Sequence, residues 1–298
     1  MEFRREFAMD VPLVSETRVR MIVNADDFGY FDEVSRGILD AAARGVVTAT
    51  GVMANGPALE RWVEQLKSLP AFSVGVHLNA TLGQPLTEPM RKCLAASNGE
   101  FRAKGAFAAS VLRGAVPVST VVEEWRAQIR RCLQLGLKLQ FLNSHEHVHM
   151  LPNLYRKVRG LADEFGIAHV RAPQPELGPH ITAGGMLRNS VFLAARVLAD
   201  TSVPEPVLIG VAPSGKLDPV YCQWRLPRLQ SGVAYELMCH PGWNDAVARR
   251  NPKFDAYHDW EGEMRTLTGD AFAGLLRQYR IELISYADLH RSTVEGHS

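Results

Sequence analysis

The sequence predicts an α/β fold, a distorted β/α barrel. Two observations carry this expectation. Short apolar runs alternate with amphipathic stretches at helical spacing in about seven successive pairs, and polar residues able to hold a metal collect where several runs end. Strands alternating with helices imply a parallel sheet covered by helices. In barrels of this kind the reactive groups sit at the carboxyl ends of the strands.

Val19 to Val23 reads as a buried strand running into a loop at Asn24-Ala25-Asp26-Asp27. Val34, Ile38 and Ala41 then recur at helical spacing until Gly45 stops them. A second strand, Val46 to Met53, ends at Asn55-Gly56, and Leu59, Trp62, Val63 and Leu66 make the next helix. Phe72 to Leu78 is the third strand and delivers His77 at its far end. Gly83 to Pro117 reads as a long insertion with a weak helical piece. Thr120 and Glu123 predict a capping box for the helix carrying Val122, Trp125, Ile129 and Leu133. Lys138 to Leu142 is a strand that runs into Asn143 to Met150. A helix through Tyr155, Val158, Ala162 and Phe165 stops at Gly166, and strand character resumes from Ile167 to Val170. The later elements are Leu187 to Leu198 with Val207 to Val211, Val233 to Met238, and Phe272 to Tyr279 with Ile281 to Tyr286. This organisation predicts an N-terminal extension at 1–17, one barrel domain at 18–290 and a tail at 291–298.

A chain of 298 residues with 46% hydrophobic content can bury a core of that size. Its 33 basic and 32 acidic residues nearly cancel, with no basic patch or stripe, which excludes nucleic acid as an expected partner. The four cysteines, Cys93, Cys132, Cys222 and Cys239, lack metal-knuckle spacing and fit a reducing compartment. Met1 to Glu16 lacks the apolar core of a signal peptide, and no run approaches the ~18 apolar residues that span a bilayer. The expectation is a cytoplasmic protein, with a homodimer left open.

Four strand ends carry ligand-capable residues: Asn24-Ala25-Asp26-Asp27-Phe28-Gly29, His77-Leu78-Asn79, Asn143-Ser144-His145-Glu146-His147-Val148-His149, and Cys239-His240-Pro241-Gly242. An Asp-Asp pair after a strand is also an ordinary helix cap beside a solvated carboxylate, and a lone strand-end His is commonly a hydrogen-bonded structural group. The His-x-His-x-His run is more telling. In extended chain, residues two apart point the same way, which aligns His145, His147 and His149 on one face. At ~3.3 Å per residue the outer two lie roughly 13 Å apart, so one ion cannot hold all three. Two or more His with an Asp suit Zn²⁺ and, with more water, Mg²⁺, Mn²⁺ or Co²⁺. Three protein ligands leave positions open for water and substrate, and such an ion polarises a carbonyl. A second carboxylate could then act as general base and a further His as general acid.

These residues resemble the YdjC/ChbG carbohydrate deacetylases, a family that includes the hopanoid-associated HpnK proteins. The resemblance runs through Ile22-Val23-Asn24-Ala25-Asp26-Asp27-Phe28-Gly29, Gly37-Ile38, Gly45-Val46-Val47-Thr48, Asn55-Gly56 and Val74-Gly75-Val76-His77-Leu78. It continues through Ser144-His145-Glu146-His147-Val148-His149-Met150 and Glu236-Leu237-Met238-Cys239-His240-Pro241, so that it covers about Arg18 to Asp288. The resemblance implies a barrel of the NodB deacetylase type and removal of the acetyl group from an N-acetylated amino sugar. The sugar would be an oligosaccharide or linked to a nucleotide or a lipid. It implies one divalent metal ion, Mg²⁺ or Zn²⁺ before Mn²⁺ or Co²⁺, held by Asp27, His77 and His145. Asp26 matches the carboxylate that activates water, and His240 falls where the general acid is expected. His147, His149, Asn79 and Arg171 are candidates for contacting substrate.

The chain departs from the family pattern at Asn143, where members acting on chito-oligosaccharides have Asp, and at Ser144, where HpnK proteins have Ala. Gly83 to Pro117 and Pro173 to Gly185 lie where substrate loops are expected. A β/α-barrel metallophosphoesterase would also gather His and Asp at strand ends. Such sites usually hold two or three ions and place His-x-His on the first strand, where this chain has Asp-Asp. An inactive sugar-binding relative would not need the base, ligands and acid together.

Overall fold

A computed structural model describes residues 18–179, 182–198 and 205–289; the predicted extension at 1–17 and tail at 291–298 lie outside the described residues. Eight strands form one parallel sheet: β1 (Val19–Phe28), β2 (Ala49–Val52), β3 (Ser73–Leu78), β4 (Leu139–Ser144), β5 (His169–Val170), β6 (Val207–Ile209), β7 (Ala234–Cys239) and β8 (Ile281–Leu283). Their order is β5-β4-β3-β2-β1-β7-β6, with β8 added beside the start of β1. Among the described residues β5 and β6 do not pair, so the sheet curls into a half-barrel rather than closing. Parallel strands covered by helices on one face and a filled interior on the other are buried on both sides. All but one of the ten residues of β1 are accordingly buried.

The period of two along the strands sorts the interior into layers. On β1, Met21, Val23 and Ala25 pack with the main helical core. Ile22 faces the other way, into a small cluster with Ala49, Phe141, Ile284 and Tyr286, in which Phe141 and Tyr286 stack at 4.3 Å. Two and four residues beyond Ile22 the same face carries Asn24 and Asp26, and two beyond Phe141 it carries Asn143. An apolar plug therefore lies under a buried polar layer, and the strand ends lie above both.

The first strand does not stop at Val23. It runs through both aspartates to Phe28, with an irregularity where they sit: Ala25 pairs with Thr50 and Phe28 with Val52, so Asp26 and Asp27 together oppose Gly51. Asp27 takes the left-handed conformation, φ 73°. A bulge of this kind inserts one residue and re-aims side chains, and aspartate is among the residues that tolerate positive φ.

The histidine run is not extended. It forms a tight turn over His145–Met150, with Glu146 and His147 both left-handed (φ 55° and 56°), so the extended-chain spacing does not apply. Consecutive non-glycine residues at positive φ are costly, roughly 1–3 kcal/mol each, and persist where surroundings over-determine them. The predicted capping box is also absent. The helix starts at Val118 behind Pro117 with no side-chain cap, which leaves Thr120 already inside the first turn.

That helix, Val118–Gln134, anchors the chain just after β3. Gln128 accepts from the Asn79 backbone N–H at 2.8 Å and donates to its carbonyl at 2.8 Å, while the Trp125 indole donates to the same carbonyl at 3.3 Å. Glu124 takes both backbone N–H groups of Leu86 and Thr87 and the Thr87 hydroxyl. The base of the 83–117 insertion is thereby tied down, and the insertion holds helices Glu88–Cys93 and Lys104–Leu112. On the other side, helix Asp32–Ala43 approaches the turn after β7 so closely that a Cβ on Gly37 would lie 2.5 Å from the Gly242 Cα. Glycine is the residue that permits such backbone contact.

Candidate active site

β1, β3 and β4 bring Asp27, His77 and His145 together at their carboxyl ends. Asp27 Oδ1 lies 2.9 Å from His145 Nδ1 and 3.3 Å from His77 Nε2. One ligand atom from each residue lies within 4.8 Å of the others, so the three can hold a metal ion. Asn143 sets the tautomer of His77. Its amide nitrogen donates to Asp26 Oδ1 at 2.9 Å, which turns its oxygen towards His77 Nδ1 at 2.7 Å. In the neutral ring the proton then sits on Nδ1, which leaves the Nε2 lone pair available to an ion. Burial raises the Asp27 carboxyl, but the His145 and His77 imidazoles hold it well below the usual range. Burial lowers His145, and Asp27 reverses that and raises it. A mixed nitrogen and oxygen donor set with an acceptor-oriented imidazole fits a borderline divalent cation.

Asp26 heads the polar layer. Arg171, which follows β5, donates from Nη1 to Asp26 Oδ2 at 2.6 Å and from Nη2 to Oδ1 at 3.0 Å. Its Nε and Nη2 also reach Glu236 Oε1, with the Nε bond at 2.9 Å. Asp26 Oδ1 accepts further from Asn24 at 2.8 Å. Burial raises the Asp26 carboxyl, and the Arg171 guanidinium outweighs it and keeps the group ionised. Three donors converge on Oδ1 and one on Oδ2, so the spare acceptor capacity of Asp26 is on Oδ2.

His240 follows β7. Its backbone N–H donates to Glu263 Oε2 at 2.5 Å, and its Nδ1 lies 3.9 Å from Glu263 Oε1. Burial lowers His240, but Glu263, with Asp27 and Asp26 behind it, raises it to about 9. His258 meets His240 edge-on at 5.2 Å and stacks on Trp260 at 4.9 Å. Burial pushes His258 down to about 3, which leaves it a neutral wall for the charged ring.

The candidates for substrate contact divide. His147 lines the cavity, with its ring 5.5 Å from that of Phe192. His149 sits behind the wall, with Nδ1 2.5 Å from Ser144 Oγ and Nε2 2.8 Å from the Arg171 carbonyl. Asn79 is spent on its own loop: its amide donates to Asn55 and Leu82, and its oxygen accepts from the Thr81 and Leu82 N–H groups. Arg171 is buried between two carboxylates and acts on Asp26 instead of reaching the cavity. Sequence reasoning missed Glu236 and Glu263. A single acid inside the apolar strand Ala234–Cys239 was a readable signal for the first; nothing local marked the second.

Asp26, Asp27, His77, His145 and His240 all open on one cavity of about 900 Å³. Ala103 and Lys104 of the insertion form part of its wall, as do Leu187, Val191 and Phe192 of helix Ala183–Leu198. Residues 173–179 lie outside its lining, contrary to the expected substrate loop at Pro173 to Gly185.

Fold and site together define an α/β half-barrel protein with a candidate metal centre at the carboxyl ends of its strands. The chain belongs to the YdjC-like protein family, which matches residues 20–278. It is 29% identical over 272 residues to a carbohydrate deacetylase of Geobacillus stearothermophilus, covering 91% of this chain and 98% of that one. It is 36% identical over 232 residues to a chitooligosaccharide deacetylase of Escherichia fergusonii, covering 78% and 84% of the two chains. A solved structure from Enterococcus faecalis V583 shares the fold, with a TM-score of 0.71 at 24% identity over 92% of this chain and 99% of that one.

Proposed function

We propose that the protein hydrolyses the acetamido group of an N-acetylated amino sugar, using one divalent cation held by Asp27, His77 and His145. The observation that carries this reading is the ionised Asp26, held by Arg171 beside the three ligand residues and facing the same cavity. The deacetylase names of the family relatives support the same chemistry. A bound cation, Mg²⁺ or Zn²⁺ by its donor set, would supply Lewis acidity to the acetyl carbonyl. Asp26 Oδ2 takes a proton from water as the water oxygen bonds to the carbonyl carbon. His240 gives its proton to the sugar nitrogen as the C–N bond breaks, so acetate and a free amine leave in equal amounts. Glu263 keeps His240 charged until that moment. Arg171 holds Asp26 in place and ionised, while Asn143 couples it to His77.

Acetate release from free N-acetylated oligosaccharides, nucleotide-linked and lipid-linked N-acetylhexosamines tests the reading and names the carrier. Phosphate release from a phosphomonoester without acetate release would favour the phosphoesterase instead.

A further inference from the structure

We propose that Arg188 forms an anion subsite in the cavity wall, taking a phosphate carried by the part of the substrate beyond the acetylated ring. This rests on the deacetylase reading above. The cavity of about 900 Å³ lies near the top of the ~300–1,000 Å³ range for drug-sized ligands, which leaves room for more than one sugar ring. Arg188 lines it from helix Ala183–Leu198, one turn, about 5.4 Å, before Phe192, whose ring meets His147. The acetyl-cleaving groups and Arg188 therefore border the same space.

The charges of that space are otherwise matched. Asp26 pairs with Arg171, Asp27 with the two imidazoles, and Glu146 lies 3.8 Å from Lys104. Among the described residues no carboxylate lies within ion-pair distance of Arg188, and its buried Nε has no hydrogen-bond partner. Its chain neighbours on the cavity wall, Leu187, Val191 and Phe192, have apolar side chains that offer the cation no partner. Leaving a guanidinium donor there unpaired is costly, and a ligand that pairs it recovers that cost on binding. Tyr257 and Ser214 line the same space, joined by a 2.8 Å hydrogen bond from the phenol to Ser214 Oγ. Arg188 stands close enough to the Tyr257 phenol to act on it alongside the Ser214 hydrogen bond. A guanidinium fork matches the geometry of phosphate oxygens. Ser214 Oγ, which accepts from the phenol, keeps its own hydrogen to donate to the remaining oxygen.

The test measures binding of N-acetylglucosamine, N-acetylglucosamine 1-phosphate and UDP-N-acetylglucosamine to the cation-loaded protein by calorimetry. Wild type should bind at least one phosphorylated ligand about tenfold or more tighter than the neutral sugar. The ligand that gains tells a monoester from a nucleotide diphosphate. Arg188→Gln should bring that ratio close to one, and Arg188→Lys, which keeps the charge without the fork, should retain part of it. Equal ratios in wild type and Arg188→Gln overturn the subsite, as does a wild type with no phosphate preference. Acetate is followed in the same samples. A phosphate preference without acetate from any ligand would remove the deacetylase reading and leave the subsite. Acetate without the preference would do the reverse.

Discussion

Asp26 and Asp27 are consecutive on one strand yet face the same cavity, because the strand bulges at them and Asp27 is left-handed at φ 73°. In a regular strand they would point to opposite faces. The bulge separates their surroundings as well as turning them. Asp26 belongs to the buried layer of Arg171, Asn24 and Asn143, whereas the Asp27 carboxylate meets the imidazoles of His77 and His145. Two carboxylates one peptide apart can thus take two roles, proton acceptor and metal ligand.

Asp26→Asn should therefore keep cation binding and lose turnover. The amide preserves shape but cannot accept the proton, and loss of a general base typically costs about 10²- to 10⁴-fold. Cation stoichiometry and acetate release, measured on the same preparation, check the two halves together. A near-normal rate would put the base elsewhere, with His147 next in line.

His77→Ala should leave purified protein largely free of cation while its fold survives. The ring offers a candidate ligand nitrogen and makes an edge contact to His145 at 5.5 Å, but the strand beneath it is held by its own pairing to β2 and β4. Metal analysis beside a circular dichroism spectrum decides it. Full occupancy in the variant would remove His77 from the ligand set.

His240→Ala should separate leaving groups. An amine departs readily only when protonated, while an activated aryl ester loses its alcohol without help, so the variant should lose the amide reaction and keep much of the ester reaction. In wild type, amide hydrolysis should fall as pH rises through about 9, where His240 gives up its proton. Equal losses on both substrates would assign His240 to holding the pocket in shape.

Arg171→Met should change the pH dependence of stability in cation-free protein. In wild type the folded Asp26 is depressed below its unfolded value of about 3.9, so its contribution is present above that pH and lost as pH falls through the folded value. Without Arg171, burial is opposed chiefly by the weaker pull of His77 and His240, so the folded value rises, and acidification from pH 7 to 5 should favour the variant relative to wild type. Breaking a buried pair typically costs about 3–5 kcal/mol. Urea midpoints with chelator present would show the gap between wild type and variant narrowing towards pH 5, and parallel curves would mean Arg171 does not govern Asp26.

The barrel class and the strand ends that meet were legible because both follow from period: apolar runs mark buried parallel strands, and polar residues after them can only lie at the carboxyl rim. The family resemblance singled out His145 from its run, and the structure sets His145 beside Asp27. The 13 Å spacing expected of an extended chain does not hold there, because Glu146 and His147 turn the backbone left-handed. Nothing in the residue types announced that turn. Arg171 was legible as a site residue but not as one buried on Asp26, since its partners come from β1 and β7. Glu263 was invisible for the same reason: its partner His240 is 23 residues away and reached only through the fold.

The most direct test is a balance of products under control of the cation. Wild type stripped with chelator, then given one equivalent of Zn²⁺ or Mg²⁺, is incubated with an N-acetylated amino sugar, and acetate and free amine are counted. The proposed mechanism predicts no products before the cation is added, equal amounts of both after it, and none in cation-loaded Asp26→Asn. Products that appear undiminished in the stripped protein, or a loaded wild type that releases no acetate from any of the three carrier classes, would contradict it.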